Sequence, residues 1–348
     1  MIKKDLGCEI AWDKAAVVSS NATVTKRLRA AIGIDTKATP SAVNLGVDFG
    51  CGLQRRLWGK TTSRAVRMKQ AYKRKRKLRV LRHVVGGKRA SLVASTCVIA
   101  AATYGAAVNG VSCSEVRHLQ GIAASAMTPS ARGRSLTAML LIRGDPTWRA
   151  AVAPAQQWVR AAWKALQAVD LVGRGVDTQM MERSWQQHAS KSGNLISPTG
   201  KLRWQRVAGP MGALELTLHR IGWEAISPSE WKDDLGITRI VTEHAPVLWD
   251  TYLREAWHRK LERELAANFR DDPSNACHRV CVDVVRHVNS LKAISEIGRE
   301  HVIANVCNGI WTRADAKRAG YLAPSTLCGL CGQHEDTVYN RIWKCSLT

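Results

Sequence analysis

Three cysteines and a histidine lie close together near the C-terminal end of the sequence, in the order Cys328, Cys331, His334 and Cys345. A C-x2-C pair can present two thiolates from one tight turn, and Cys345 follows within reach of the same ion. Such clusters usually hold zinc, and small zinc modules in basic proteins often contact nucleic acid. The sequence therefore predicts a zinc site formed by the three cysteines, with His334 as the fourth ligand.

The spacing of the fourth ligand is unfavourable. His334 follows Cys331 so closely that its ring could reach the ion only through a strained loop. The alternative is a knuckle without metal, folded by the packing of Ile342 and Trp343, in which the thiols stay free. Both interpretations remain open at this stage.

Positive charge is the second informative feature. The chain has 52 Lys and Arg residues against 28 Asp and Glu residues, a formal net charge of +24 at pH 7. This excess favours a polyanionic partner, either nucleic acid or an anionic membrane surface. Residues 49–114 include no acidic residue. The candidate nucleic-acid-binding residues in this region are Arg64, Arg67, Lys73, Arg74, Lys75, Arg76, Lys77, Arg79 and Arg82.

These cations are expected to contact phosphates rather than base edges, so that binding is salt-dependent and weakly sequence-specific. Two other uses of the basic run stay open, namely a nuclear localisation signal and a solvated helix face. A solvated face would normally interleave acidic residues, and this one has none.

Cysteine usage and hydropathy indicate the compartment. Most of the ten cysteines stand alone in apolar surroundings, as small core residues do in a reducing environment. The first residues show no apolar signal core, and 90–108 is more typical of a buried helix than of a membrane span. We therefore expect an intracellular protein, nuclear or cytoplasmic and not secreted, without a membrane partner.

Hydrophobic periodicity predicts a mainly helical fold with a small N-terminal β region. Strands are expected within 8–20 and at 42–49, and a long basic helix over 63–85, ended by Gly86 and Gly87. Turns or breaks are expected at 197–204 and 209–212. The remaining helices are predicted at 23–32, 90–108, 114–127, 136–141, 147–169, 177–190, 228–235, 245–268, 274–290 and 293–307.

Tryptophan is unusually frequent, with thirteen Trp against two Phe. Stacked bases could use such side chains as a platform. Their spacing favours the packing of helices instead. Most of them lie in the middle of the chain, at Trp148, Trp158, Trp163, Trp185, Trp204, Trp223, Trp231, Trp249 and Trp257.

Three segments in series resemble a reverse transcriptase of the non-LTR retrotransposon type. Residues 7–14, from Gly7 to Lys14, resemble the turn motif that follows the catalytic aspartates. Residues 44–49 resemble the Leu-Gly-Val strand near the primer grip, and the basic helix lies where the family places its thumb. The resemblance implies a palm remnant at 1–58, a thumb-like region at 59–145, a Trp-rich connector at 146–324 and a degenerate zinc knuckle at 325–348.

In the family, two metal ions are held by aspartates that precede the Gly7 motif, so the resemblance implies that this chain alone does not polymerise DNA. It would carry no catalytic residue, with Lys14 as a remnant of the palm turn, and would use Mg²⁺ only if the missing palm were supplied. Asp233-Asp234 and Asp271-Asp272 are expected at a helix start and a turn rather than as metal ligands. Its partners would be RNA, DNA or their hybrid, and the missing polymerase portion.

The tail resembles the family's terminal pattern of C-x2-C, a spacer, His, four residues and Cys. The matching residues are Cys328, Cys331, Asp336, Thr337, Arg341, Trp343 and Cys345. Asn340 occupies the position of the family histidine, and a carboxamide is a poorer zinc ligand than imidazole. The resemblance therefore implies a degenerate knuckle in which Asn340 replaces the family's histidine ligand.

Two alternatives to a reverse-transcriptase part remain. One is a non-catalytic helical protein that binds RNA or acts as a scaffold, and the other is a truncated element remnant without function. A Tyr-x-Asp-Asp segment in frame directly upstream in the genomic DNA would favour the polymerase interpretation over both.

Overall fold

The computed structural model describes residues 16–18, 22–32, 37–39, 41–44, 47–50, 62–127, 135–172, 178–189, 195–207, 209–267, 295, 303, 312–318, 320–321, 325–337, 340 and 344–346. The fold is mainly helical, with short β-strands, as the sequence predicts. The predicted helix 274–290 lies outside the described residues, and within the one predicted at 293–307 only residues 295 and 303 are described. No described helix combines the length and apolar character needed to cross a bilayer.

The chain forms two compact units that interleave along the sequence. Unit 1 consists of 1–72, 100–116 and 148–256, and unit 2 consists of 73–99, 117–147 and 257–348. The chain leaves unit 2 at Thr147, close to the boundary predicted near 145. The assignment of these parts to a palm, a thumb and a connector stays a prediction.

Unit 1 begins with short elements. Strand β1 (Ala16–Val18) pairs in parallel with β2 (Lys37–Thr39), and helix α1 (Ala22–Ile32) lies between them in sequence. Strands β3 (Ser41–Asn44) and β4 (Val47–Gly50) then pair antiparallel. The single strand predicted at 42–49 is therefore wrong, because the backbone reverses within it and Asn44 pairs with Val47.

Helix α2 (Ser63–Val85) has the predicted bounds. The hydroxyl of Thr62 accepts a hydrogen bond from the backbone N–H of Ala65 at 3.1 Å, which satisfies one of the free donors at the helix start. Gly86 follows the helix with φ of +81°, a left-handed conformation that glycine adopts without a steric penalty.

The helix predicted at 90–108 is confirmed in part, because helical backbone runs without a break from Gly87 to Ala102 and is interrupted only at 103–105. The segment consists of α3 (Gly87–Val93), a π-helical segment (Ala94–Ile99), α4 (Ala100–Ala102) and α5 (Ala106–Asn109). Gly105, at φ of +76°, separates α4 from α5. Helices α6 (Cys113–Met127) and α7 (Leu136–Arg143) follow close to their predicted positions.

The core of unit 1 forms where α8 (Trp148–Val172) packs against α5 and α10 (Pro210–Ile221). Between α8 and α10 come α9 (Thr178–Ala189) and a 3-10 turn (Trp204–Arg206). The turn predicted at 197–204 is present, since Ile196 and Leu202 form an antiparallel bridge. The break expected at 209–212 instead starts a helix, because proline at its first turn needs no hydrogen-bond partner for its nitrogen.

Arg220 is a buried cation in this core. Its guanidinium donates to the carbonyl of Ala151 at 3.1 Å and to that of Val111, and it lies 4.2 Å from the centre of the Trp204 ring. Gly110 contacts the same ring so closely that a Cβ there would lie 2.2 Å from it. The loop before α6 therefore requires glycine.

A small antiparallel sheet and helix α11 (Pro246–Ala267) complete the middle of the chain. The sheet has the order β5 (Glu224–Ala225), β6 (Glu230–Lys232) and β7 (Thr238–Ile240). The helix predicted at 228–235 is wrong, because Asp233 there organises a turn. Its carboxylate accepts from the backbone N–H groups of Leu235 and Ile237, both at 2.9 Å.

Tryptophans fill the interior, which confirms core packing for much of the set. Trp223, Trp231 and Trp249 form a cluster in unit 1, with ring centroids 5.2–6.4 Å apart in edge-to-face arrangements. Trp231 and Trp249 are completely buried. In unit 2, Trp257 donates its indole N–H to the buried carboxylate of Asp145 at 3.0 Å.

Candidate metal centre and basic helix face

A tight turn presents the first two cysteines. Leu327 and Glu335 form an antiparallel bridge at its base, and the N–H of Cys328 donates to the carbonyl of His334 at 2.7 Å. The N–H of Gly332 donates to the carbonyl of Cys328 at 2.9 Å, and Gly332 has φ of +68°. The turn therefore places Cys331 beside Cys328.

The three cysteine sulfurs converge on one point. The Sγ atoms of Cys328, Cys331 and Cys345 all lie within 4.8 Å of one another, and those of Cys328 and Cys345 are 4.0 Å apart. Tetrahedral zinc with bonds of about 2.3 Å would separate its sulfur ligands by ~3.8 Å. This group can therefore hold a metal ion, and its spacing fits zinc.

Cys331 is an activated thiol. Its pKa is lowered to about 7, first by a hydrogen bond from the backbone N–H of Gln333 and then by that of His334. The neighbouring Cys328 and Cys345 thiols lower it further, whereas desolvation raises it. A thiolate, the form that binds metal and acts as a nucleophile, is thus accessible near neutral pH.

The structure does not bring His334 into the group. Its side chain is exposed, and its ring is not among the ligand atoms that lie within 4.8 Å of one another. Its backbone has the structural role instead, because both its N–H and its carbonyl serve the cysteine turn. The described residues therefore supply three sulfur ligands, all from cysteine.

Asn340, five residues before Cys345, has a buried side chain whose polar atoms no described residue satisfies. It is only 3% exposed, yet within the part of the chain that the structure describes neither its Oδ1 nor its Nδ2 has a hydrogen-bond partner. Its backbone is well held, since its carbonyl accepts from the N–H of Cys345 at 2.7 Å and its N–H donates to Thr337 Oγ1 at 3.0 Å. Sequence reasoning gave its departure from the family pattern but not its burial.

Asp336 ties the knuckle to helix α12 (Arg313–Arg318). This fully buried residue accepts a hydrogen bond from the N–H of Arg313 at 2.8 Å through Oδ2, at the start of the helix. Arg313 in turn donates to the carbonyl of Leu327 at 3.2 Å. The cysteine turn is therefore anchored without any ion, which the pattern match alone did not indicate.

Replacing Cys331 with serine should abolish stoichiometric zinc binding by the full chain, because a hydroxyl does not ionise near neutral pH as this thiol does. Zinc content by mass spectrometry after dialysis would measure the loss. Cys97→Ser is a matched control, since Cys97 is an exposed free thiol outside the cluster. Equal zinc content in the wild type and Cys331→Ser would contradict the site.

Helix α2 carries the basic residues, and the structure separates them by burial. Five of the nine candidates are exposed on the part of the helix that belongs to unit 2, and we name them the basic face: Lys73, Arg74, Arg76, Lys77 and Arg79. No acidic residue occurs in the helix. The exposed Lys88 and Arg89 of α3 follow in the same unit and were not among the candidates.

The other four candidates have contacts within the protein. Arg64 is 6% exposed and donates to the carbonyl of Gly110, and Arg67 donates to the carbonyl of Tyr104 at 3.1 Å. Arg82 is 8% exposed and contacts His83. Lys75 is half-buried, with its Nζ near Gly121 of α6. Arg64 and Arg82 thus share the buried side of the helix, which the sequence does not reveal because their residue type suggests exposure.

A separate cleft of about 590 Å³ in unit 1 brings together residues that showed no pattern in the sequence. The side chains of His188 and Glu215 are hydrogen-bonded there, with Nε2 and Oε2 2.7 Å apart. Trp185, His219 and Glu224 also line it. No spacing pattern in the sequence links His188 to Glu215, so their contact becomes visible only in the folded chain.

Two further expectations concern carboxylates and the palm turn. Asp233 is fully engaged in its turn and pairs with Arg239 at 2.8 Å, and Asp234 accepts from the indole of Trp223 at 3.0 Å. Their surroundings are those of a structural turn, not of a helix start. Lys14 and the Asp271-Asp272 pair lie outside the described residues.

Comparison with protein-family models, with curated proteins and with solved structures gives no match.

Proposed function

We propose that this chain binds nucleic acid through the basic face of helix α2, and that it corresponds to the region of a non-LTR-type reverse transcriptase that follows the catalytic aspartates. The observation that carries the proposal is the basic face itself. Its five exposed cations are presented by one regular helix without an acidic residue to neutralise them.

The dimensions of the basic face suit a polyanion. From Lys73 to Arg79 a helix advances by about 9 Å, at 1.5 Å per residue. Over that length a duplex laid alongside presents about five phosphate charges, at one per ~1.7 Å. The basic face therefore carries about as much charge per unit length as the two strands of a duplex together.

The packing of α2 supports the same use. Leu78 and Arg82 are buried on one side of the helix, at 3% and 8% exposure, while the five residues of the basic face are exposed. A helix fixed in this way loses little conformational freedom when its exposed side meets a ligand. Contacts of this kind are made to phosphates, so we expect affinity without strong sequence preference.

The cysteine cluster supports a second part of the proposal, that the ion it holds is zinc. Three thiolates at tetrahedral spacing are typical of structural zinc sites, whereas calcium and magnesium prefer oxygen ligands. Zinc bound there would cross-link the cysteine turn to Cys345. The connection of this knuckle to α12 does not depend on the ion, because it is made by the hydrogen bond from the Arg313 N–H to Asp336.

A salt series on the full chain tests the nucleic-acid proposal. For five phosphate contacts, affinity should fall a few hundredfold between about 50 and 200 mM salt. Duplex RNA and RNA–DNA hybrid should bind more tightly than single-stranded RNA if α2 acts as a thumb. Filter binding with the three ligands measures this. Salt-insensitive binding would contradict the proposal, and a preference for single strands would favour the scaffold alternative.

A further inference from the structure

The unpartnered side chain of Asn340 points to the missing ligand of the metal site. We propose that the Oδ1 atom of Asn340 completes the coordination of an ion held by Cys328, Cys331 and Cys345, giving a site of three sulfurs and one oxygen. The inference rests on the proposed zinc site and specifies its fourth donor.

Burial is the first argument. Asn340 is 3% exposed, and neither polar atom of its carboxamide has a hydrogen-bond partner among the described residues. A buried amide without a partner is destabilising, so buried polar groups in folded proteins are almost always satisfied by protein, water or an ion. Three thiolates with one vacant tetrahedral position would provide such an ion nearby.

Backbone geometry is the second argument. The carbonyl of Asn340 accepts a hydrogen bond from the N–H of Cys345 at 2.7 Å, so both residues belong to one closed turn of the chain. Thr337 fixes the other side of Asn340 through its hydroxyl. Position 340 is therefore held beside a cysteine of the cluster, whereas the exposed ring of His334 lies outside the group.

The chemistry of the donor predicts the character of the site. A carboxamide oxygen is neutral, as is the imidazole that zinc commonly binds, so three thiolates and Zn²⁺ leave the same net charge of minus one with either donor. The oxygen is a weaker ligand for zinc than imidazole nitrogen. We therefore expect a site that binds zinc stoichiometrically but more weakly than its Asn340→His variant.

Cobalt substitution tests the fourth ligand directly, since Co²⁺ enters tetrahedral sulfur sites and its visible absorption bands report the donor set. The full chain, reduced and loaded with saturating Co²⁺, should give a tetrahedral spectrum with sulfur-to-metal absorption. Asn340→Ala should shift the visible bands as water replaces the carboxamide. Asn340→His should shift them in a different way and bind metal at least ~10-fold more tightly, because imidazole is a stronger zinc ligand than a carboxamide oxygen.

His334→Ala is the matched control and should leave the spectrum unchanged. A change in His334→Ala, or an Asn340→Ala spectrum identical to that of the wild type, would overturn the assignment of Asn340 while leaving the zinc site in place. Failure of the wild type to bind Co²⁺ or Zn²⁺ would overturn the zinc site as well. Circular dichroism of each variant checks its fold, and the Asn340→His comparison preserves side-chain bulk if Asn340→Ala is unstable.

Discussion

Replacing Lys73, Arg74, Arg76 and Lys77 together with glutamine should weaken duplex binding roughly 10²- to 10³-fold at about 0.1 M salt. All four side chains are exposed on α2. When a phosphate contact is removed, one condensed counterion stays on the nucleic acid instead of being released. The loss of binding free energy therefore grows with the number of contacts removed. Glutamine has nearly the helix propensity of lysine and arginine, so the helix should persist.

A second variant with the same change in charge separates a specific surface from general basicity. Four exposed cations of unit 1 are suitable for glutamine substitution: Lys164, Lys201, Lys232 and Arg254. We expect this control to bind within a few-fold of the wild type, because none of these four cations belongs to the basic face. Equal losses in the two variants would mean that net charge, rather than the basic face, drives binding.

Trp249→Ala should destabilise unit 1 by about 3–5 kcal/mol, the usual cost of removing a large aromatic side chain from a core. Trp249 is completely buried and contacts the rings of Trp223, Trp231 and Tyr252, with centroids 5.2–6.1 Å away. Neighbours on different elements, α10–β5, β6 and α11, cannot collapse into the space together. Urea unfolding followed by circular dichroism measures the loss.

Trp249→Phe provides the control for this prediction. The indole Nε1 of Trp249 has no hydrogen-bond partner among the described residues, so phenylalanine removes a buried polar atom without breaking a bond. We expect a cost of only about 1 kcal/mol. If Trp249→Ala unfolds at the same urea concentration as the wild type, the Trp cluster is not the stabilising core that the packing indicates.

Helix α2 shows what the sequence determines well. A polar residue suited to capping precedes it, two glycines follow it, and nothing within it breaks a helix, so its predicted bounds hold. The segment at 228–235 shows the opposite case. Its Ser, Pro and Glu residues suggest a helix start, yet the Asp233 side chain satisfies the backbone of a turn and Gly236 follows with φ of +84°. The local helix propensity of this segment was overridden by the hydrogen bonds of the Asp233 side chain, which residue spacing does not predict.

The candidate site divides in the same way. The convergence of Cys328, Cys331 and Cys345 was predictable, because C-x2-C and a later cysteine are a spacing pattern. The burial of Arg64 and Asn340 was not, because each is polar and its residue type suggests exposure. The burial of such residues can be seen only in the folded structure. It removes Arg64 from the basic face and makes Asn340 a residue to test at the metal site.

The slope of binding affinity against salt concentration tests the central claim most directly. On a logarithmic plot the wild type should show a slope of about −4.5 for five phosphate contacts, and the variant with four glutamines on the basic face a slope near −1. The unit 1 control should keep the wild-type slope. Identical slopes for the wild type and the basic-face variant would contradict nucleic-acid binding through α2.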